Sequence, residues 1–252
     1  MDLQLSARRV LVTGGSSGIG RATALAFARE GARVVILSRD EAGMRATEQL
    51  AKAEGLAIAS VTADVTSEEQ VSAAVSSAIE KLGGLDTLVH CAAISGPIAP
   101  TLAEMSVAEI RHTFDINLLG AFIVTRAVEP HLGAGSSLVF IGSDSAYVAS
   151  PEMSVYNATK AGIVHMVRSL AVDWESRGVR VNAVSPSIVD TPMSRGDLGI
   201  GEEGFVDVDY PVLDAQDVAN AVLFLASERA RGVNGHSLLM DFGYSGKSAF
   251  PA

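Results

Sequence analysis

The stretch VLVTGGSSGIG at residues 10–20 decides the fold, because an apolar run passes through closely spaced glycines directly into a helix-forming sequence. Gly14 can take backbone angles closed to other residues, Gly18 lets the main chain approach a phosphate, and Gly20 lets a helix pack on a strand. A helix N-terminus adds free N–H groups that bind anions. The stretch therefore predicts a strand, a nucleotide-phosphate turn and a helix. A glycine-rich turn without a ligand is the alternative, since the spacing differs from the G-x-G-x-x-G fingerprint.

Outward from this turn, short aliphatic runs alternate with longer alanine-rich segments of helical period. This alternation predicts βαβ units in an α/β fold, and nearly continuous apolar strands predict a parallel sheet with helices on both faces. The predicted strands are Arg9–Val12, Arg33–Leu37, Ile58–Thr62, Thr87–His90, Ser137–Ile141, Arg180–Val184 and Ser237–Met240. The predicted helices are Gly18–Arg29, Ala42–Ala53, Ser67–Leu82, Val107–Leu132, Tyr156–Ser176 and Asp217–Leu225.

Composition limits the class of protein. The chain has 252 residues, of which 48% are hydrophobic and 19% charged, and no linker or repeat divides it, so we expect one globular domain over residues 1–252. A net charge of −10 disfavours nucleic acid and anionic membranes as partners. One cysteine and five histidines without ligand spacing predict no metal site. Without a basic, apolar leader or an apolar run long enough to span a membrane, a cytoplasmic location is expected.

A second group of residues points to proton transfer. Tyr156 and Lys160 share one face of a predicted helix, because residues four apart in a helix are neighbours. A nearby cation stabilises a phenolate, so Lys160 is expected to lower the pKa of Tyr156. Ser143 follows a predicted strand, which could bring its hydroxyl and the Tyr156 phenol to one oxygen atom of a substrate. Taken alone, Tyr-x-x-x-Lys is more often an ordinary aromatic residue and a solvated lysine, and Ser143 could be a turn residue.

Together these residues resemble the short-chain dehydrogenase/reductase superfamily from about Leu5 to Gly243. Residues 13–20 resemble its cofactor turn, and residues 115–120 resemble the segment that carries a fourth catalytic residue. The resemblance implies a Rossmann-type, doubly wound, seven-stranded parallel sheet. It also implies hydride transfer between nicotinamide C4 and a carbonyl or secondary alcohol carbon, with Tyr156 exchanging the proton on the substrate oxygen. The implied catalytic residues are Asn117, Ser143, Tyr156 and Lys160.

Cofactor contacts follow from the same resemblance. Asp64 and Val65 match a pair that contacts adenine, while the Ile188 main chain and the Thr191 hydroxyl match groups that hold the nicotinamide carboxamide. The implied cofactor-binding residues are Thr13, Gly14, Ser16, Ser17, Gly18, Ile19, Gly20, Ser38, Arg39, Asp64, Val65, Ala92, Tyr156, Lys160, Pro186, Ile188 and Thr191.

The end of the second strand bears on the choice of cofactor. An acidic residue there would bind the adenosine 2′-hydroxyl and repel a 2′-phosphate. Ser38 and Arg39 resemble the arrangement in NADP-using relatives, where the guanidinium pairs with the phosphate. NADP(H) is therefore expected over NAD(H). Asp40 would weaken that preference if it turned inward.

The substrate is a small ketone or secondary alcohol on this interpretation. Residues 191–212 are too long for an ordinary connection and are expected to form an irregular substrate loop. Its acidic residues, including Asp197 and Glu202, weakly disfavour a polyanionic substrate, although a solvated acidic loop is the simpler interpretation. Glu129 and Val172 stand where reductases acting on acyl carrier protein tend to carry basic residues. The expected substrate contacts are Ser143, Ser145, Tyr156, Ile94 and Met193, with Ser95, Tyr147 and Tyr210 completing the pocket wall.

One segment departs from the family. His90-Cys91-Ala92-Ala93 stands where most relatives have Asn-Asn-Ala-Gly, and His90 is expected to be a core histidine satisfied by hydrogen bonds, with an extra proton carrier as the alternative.

Relatives often pair helices into dimers or tetramers, so a homotetramer is expected. An NADPH-dependent ketone reductase is the favoured function. An NAD-dependent alcohol or diol dehydrogenase and a non-enzymatic, nucleotide-binding redox sensor are the alternatives.

Overall fold

Seven parallel strands form the centre of the molecule. The structure is a computed structural model and describes residues 2–99, 101–201 and 203–247. The strand order is β3-β2-β1-β4-β5-β6-β7, and every neighbouring pair is parallel. All seven predicted strands are confirmed, three of them ending one or two residues later than expected. Their bounds are β1 Arg9–Thr13, β2 Arg33–Ser38, β3 Ile58–Thr62, β4 Thr87–His90, β5 Ser137–Ile141, β6 Arg180–Pro186 and β7 Ser237–Met240.

Helices cover both faces of this sheet, because successive residues of each strand point to opposite sides and both sides are apolar. Leu88 and Leu138 pack in one core with residues of the third, fifth and sixth helices. Val89 and Val139 pack in a second core with residues of the first and eighth. The helices are α1 Gly18–Arg29, α2 Glu41–Ala53, α3 Glu68–Leu82, α4 Val107–Phe114, α5 Gly120–Val128, α6 Ser154–Asp173, α7 Pro192–Asp197 and α8 Ala215–Ala226. The predicted doubly wound fold is confirmed.

The predicted helix Val107–Leu132 is not continuous. A π-helical turn at Asp115–Leu119 separates α4 from α5, and there the Gly120 N–H donates to the Asp115 carbonyl five residues back. A 3₁₀ turn at Glu129–His131, which contains Pro130, ends the segment. π turns often mark functional sites, and this one contains Asn117.

Residues 191–212 are also more ordered than the sequence led us to expect, because they begin with α7. Thr191 starts this helix by accepting a hydrogen bond from the Ser194 N–H, and Pro192 suits a first helical position. These start signals were present in the sequence and were overlooked. Among the described residues, 198–201 and 203–212 contain neither helix nor strand. Glu202 lies outside the described residues.

A reversal in the strand order positions the site. The chain leaves β1 toward β2 on one side, and β4 pairs with β1 on the other, so the connections diverge at their carboxyl ends. In open α/β sheets such a switch point forms the ligand crevice. In the described part of the chain, no helix combines the length and the apolar character needed to cross a membrane.

Candidate active site

A cleft opens at the carboxyl ends of β1 to β4. Besides the turn after β1, it is walled by the ends of β2 and β3, the loop after β4 and the start of α7. Twelve of the expected cofactor residues line it: Gly14, Ser16, Ser17, Gly18, Ile19, Gly20, Ser38, Arg39, Asp64, Val65, Ala92 and Thr191. The sequence analysis did not single out the apolar lining residues Leu37, Ala63, Cys91, Ala93, Ile116, Ile141 and Pro192, although most are chain neighbours of predicted ones.

The glycine turn fits a dinucleotide pyrophosphate. A Cβ on Gly20 would lie 2.2 Å from the Gly14 carbonyl oxygen, and one on Gly14 would lie 2.9 Å from the Ala92 nitrogen, so only glycine lets these backbones approach. Ser17 precedes α1 without a side-chain cap, and the first turn of the helix has no acidic residue. Its N–H groups are therefore available to an anion.

Among the described residues, the end of the cleft beside β2 and β3 holds one cation, Arg39. Arg39 Nη1 lies 3.2 Å from Asp64 Oδ2, a pair that the sequence analysis did not anticipate. Ser38 donates to the Ser16 hydroxyl at 3.1 Å. Asp40 does not turn inward: its carboxylate accepts from the Gly43 N–H at 2.9 Å and caps α2.

Five expected cofactor residues do not line the cleft themselves: Tyr156 and Lys160, described below, and Thr13, Pro186 and Ile188. Thr13 is fully buried below the turn, and Pro186 is buried at the end of β6. The Ile188 carbonyl accepts from the Leu213 N–H at 2.9 Å. Thr191 lines the cleft, but its hydroxyl also accepts from the Ser194 N–H at 3.3 Å as the cap of α7.

The predicted proton-transfer residues lie together, after the carboxyl end of β5 and in the first two turns of α6. Lys160 Nζ is buried, 5.4 Å from the centre of the Tyr156 ring, and donates to the Ile141 carbonyl at 2.9 Å. Ser143 accepts from the Ser145 N–H at 3.1 Å and is a hydrogen-bond partner of the Tyr156 phenol. A proton donor, a positioning hydroxyl and a buried cation thus converge beside the cleft.

Asn117 joins this group to the loop after β4. Its Oδ1 accepts from the Ile94 N–H at 2.8 Å, and its Nδ2 donates to the Ile94 carbonyl at 2.8 Å and to Thr159 Oγ1 at 3.2 Å. Thr159 precedes Lys160 on α6. The π turn therefore places Asn117 between the cleft wall and the lysine helix.

Burial sets the protonation of the pair. The pKa of Tyr156 is raised to about 12, mainly by burial; the bond with Ser143 lowers it, and the charges of Asp144 and Asp197 add to the rise. Burial lowers the pKa of Lys160 to about 8. The expectation that Lys160 brings the pKa of Tyr156 down is not met in the protein alone, because loss of solvent outweighs other effects on the phenol.

His90 is only half satisfied, which corrects the expected fully bonded histidine. Its Nδ1 lies 3.0 Å from Thr13 Oγ1, so it does tie β1 to β4 as expected. Its Nε2 is buried without a hydrogen-bond partner among the described residues. Burial lowers the pKa of His90 to about 3, so the ring is neutral and the structure gives no support to a proton carrier.

Beyond the cleft lies a second cavity of about 470 Å³, here called the outer chamber. Ile94 and Met193 line both cavities, as expected of substrate contacts. Ser145 is buried and shares a hydrogen bond with Ser150 Oγ at 3.0 Å. Like Tyr147 and Tyr210, it lines neither of the two cavities. The outer chamber is lined by Ile94, Ser95, Gly96, Pro97, Glu109, His112, Thr113, Met193 and Asp197.

The described residues contain no group of three or more His, Cys, Asp or Glu side chains arranged to hold a metal ion.

Known proteins share this arrangement over nearly the whole chain. The sequence model of a family described as "Enoyl-(Acyl carrier protein) reductase" matches residues 14–245. "Borneol dehydrogenase, mitochondrial" from Lavandula x intermedia is 35% identical over 247 residues, 96% of this chain and 92% of that protein. "2-(R)-hydroxypropyl-CoM dehydrogenase" from Xanthobacter autotrophicus is 36% identical over 250 residues, 94% of this chain and 98% of that protein.

A solved structure agrees with the sequence relatives. A short-chain dehydrogenase from Burkholderia cenocepacia, crystallised in complex with NADP, is 31% identical to this chain, with a TM-score of 0.83. The alignment covers 97% of this chain and 100% of that one. The chain is therefore a member of the short-chain dehydrogenase/reductase superfamily, an NAD(P)-dependent oxidoreductase acting on alcohol and carbonyl groups.

Proposed function

We propose that this protein is an NADPH-dependent ketone reductase with Asn117, Ser143, Tyr156 and Lys160 as its catalytic residues. The observation that carries the proposal is the partly buried Tyr156 phenol, which bonds Ser143 and lies beside buried Lys160 at the edge of a phosphate-binding cleft. Residues 1–252 act as one domain, in which 191–212 form the substrate loop.

Each residue has a separate task. Ser143 orients the substrate oxygen, and Tyr156 gives that oxygen its proton. Lys160 supplies positive charge near the phenol, and Asn117 fixes the Ile94 segment against the lysine helix. When bound, the nicotinamide supplies the hydride, while the protein supplies placement and electrostatics.

The protonation state of Tyr156 suits its proposed task. With its pKa raised to about 12, the phenol is protonated at neutral pH and can give a proton to a carbonyl oxygen. In alcohol oxidation the same residue would take that proton back. An NAD-dependent alcohol or diol dehydrogenase is the second candidate.

Tyr156→Phe tests the chemistry. We expect turnover of a ketone to fall by roughly 10²–10⁴-fold, because the ring stays but the proton is gone, whereas nucleotide binding persists. Steady-state rates and nucleotide fluorescence measure the two effects. Tyr147→Phe, which removes a hydroxyl from an exposed ring outside both cavities, is the matched control. Near-normal turnover in Tyr156→Phe would remove this residue from the mechanism.

The pH dependence tests Lys160. Reduction needs the ammonium, and with a pKa of about 8 this group is charged below that pH and neutral above it. We therefore expect kcat/KM for NADPH, which reports the free enzyme, to fall about tenfold per pH unit above pH 8. In Lys160→Arg the guanidinium keeps its charge, so the remaining activity should lose this alkaline decline. A wild-type profile that stays flat to pH 10 contradicts this role.

Preference for NADPH rests on Ser38 and Arg39. Both line the adenosine end of the cleft, and the acidic candidate Asp40 is occupied in capping α2. A guanidinium at this position offers a charge-assisted contact to a 2′-phosphate. The Arg39–Asp64 pair holds the guanidinium at the cleft.

Paired titration with NADPH and NADH, followed by nicotinamide fluorescence, measures this preference without knowledge of the substrate. We expect NADPH to bind about tenfold more tightly or better, and Arg39→Ala to abolish the difference. Arg45→Ala, an exposed arginine paired with Glu41 on α2 and not lining the cleft, is the control. Tighter binding of NADH would favour the dehydrogenase.

We further propose a homotetramer, as the family resemblance implies. Exposed apolar side chains lie on α4, the π turn, α5 and α6, and their burial between copies would be favourable. They are Val107, Leu119, Phe122 and Val172. Light scattering over a dilution series should give a mass above that of one chain, and a monomer throughout would contradict the assembly.

A further inference from the structure

The outer chamber has a carboxylate at its wall that the proposed mechanism does not use. Asp197, the last residue of α7, accepts a hydrogen bond from the buried Ser95 hydroxyl at 2.5 Å. This bond joins the substrate loop to the segment after β4, on either side of the chamber. The other carboxylate oxygen of Asp197 accepts no hydrogen bond from the residues the structure describes.

The location of Asp197 is costly for the helix that carries it. A negative charge at a helix C-terminus opposes the helix dipole and the unpaired carbonyls there. The bond to Ser95 offsets part of that cost and keeps the charge at the chamber wall. Stability of α7 therefore does not account for an acid at this position.

A second carboxylate acts near the phenol. Asp144 Oδ1 accepts from the Ser143 hydroxyl at 3.0 Å, one bond away from the catalytic phenol. Asp144 and Asp197 both act on Tyr156 through their charge. Two carboxylates on different elements, one after β5 and one at the end of α7, therefore act on the phenol.

Little positive charge faces these carboxylates. Among the described residues that line the outer chamber, none is lysine or arginine, and the ionisable ones are Glu109, His112 and Asp197. Glu109 is bonded to the Ser106 N–H and hydroxyl, which lowers its pKa. Lys160 is turned to the Ile141 carbonyl. An anionic substrate group would therefore lie among like charges without a partner.

We propose that Asp197 is a specificity-determining residue, so that the site takes uncharged and positively charged carbonyl compounds and rejects those that carry a carboxylate or phosphate. The proposal rests on the proposed ketone reductase function. It assigns the outer chamber to the part of the substrate that extends beyond the carbonyl, with Asp197 opposite its far end.

Three methyl ketones with the same three-carbon linker test this selection. They end in a trimethylammonium, a tert-butyl or a carboxylate group. The first two match in size and shape and differ only in charge, and the smaller carboxylate supplies the negative charge. We expect kcat/KM with NADPH to fall in that order, by about tenfold per step, as for charges several ångströms apart in a partly solvated site. Added salt should narrow the differences.

Variants separate a local effect from the overall charge of the protein. Asp197→Asn should reduce the ammonium-to-carboxylate ratio about tenfold and leave the tert-butyl ketone nearly unchanged, whereas Asp197→Glu should preserve the ratio. Glu203→Gln removes one charge from the same loop outside the chamber and is the matched control. An equal fall in Asp197→Asn and Glu203→Gln, or a wild-type ratio near one, overturns the proposal.

The neutral ketone separates the two proposals. If the tert-butyl ketone is reduced but charge has no effect, the selection is wrong and the reductase function stands. If NADPH binds but no ketone is reduced, binding of the three ketones to the protein–NADPH complex is followed by nicotinamide fluorescence. If the three ketones bind in the expected order but are not reduced, only the reductase function is refuted. If they do not bind in that order, the proposed selection by charge is overturned.

Discussion

The site depends on one buried hydroxyl at the switch point of the sheet. Thr13, the last residue of β1, accepts hydrogen bonds from the Cys91 and Ala92 N–H groups at 3.2 and 3.3 Å and contacts His90 Nδ1 at 3.0 Å. These bonds tie the end of β1 to the chain leaving β4. They hold Gly14 against the Ala92 backbone, so the phosphate turn and one wall of the cleft are fixed by the same side chain.

Burial is the second constraint, and it acts on charge. The fold encloses Lys160 under the end of β5 and removes solvent from Tyr156. In water the phenol and the ammonium would titrate close together, near pH 10. Inside the protein their pKa values move apart, which leaves a phenol that gives up its proton reluctantly beside an ammonium that gives it up readily.

Local signals made most of the fold and the site predictable. Strands such as Thr87–His90 are short apolar runs with clear ends, and the turn after β1 carries its glycines in sequence. Thr191 and Pro192 are likewise signals for a helix start, so α7 could have been predicted from the sequence. Asn117 was identified only through the family resemblance, because no local pattern marks its π turn.

Pairings between distant segments were not predictable. Arg39 meets Asp64 across two strands, and Ser95 meets Asp197 more than a hundred residues later in the chain. The unpartnered His90 Nε2 belongs to this group as well, since nothing near it in sequence says which atoms surround it. Such contacts depend on the path of the chain in space, which residue order specifies only through the complete fold.

The shortness of α7 has a kinetic meaning. Six residues form fewer than two turns, and in water the hydrogen bonds of so short a helix do not offset the free-energy cost of nucleating it. It persists because the Thr191 cap, the Arg195–Asp190 pair and the Ser95–Asp197 bond hold it at both ends. Opening the loop and melting the helix are therefore one cooperative event. A molecule bound beneath α7 would therefore have a residence time set by these few bonds rather than by the stability of the sheet.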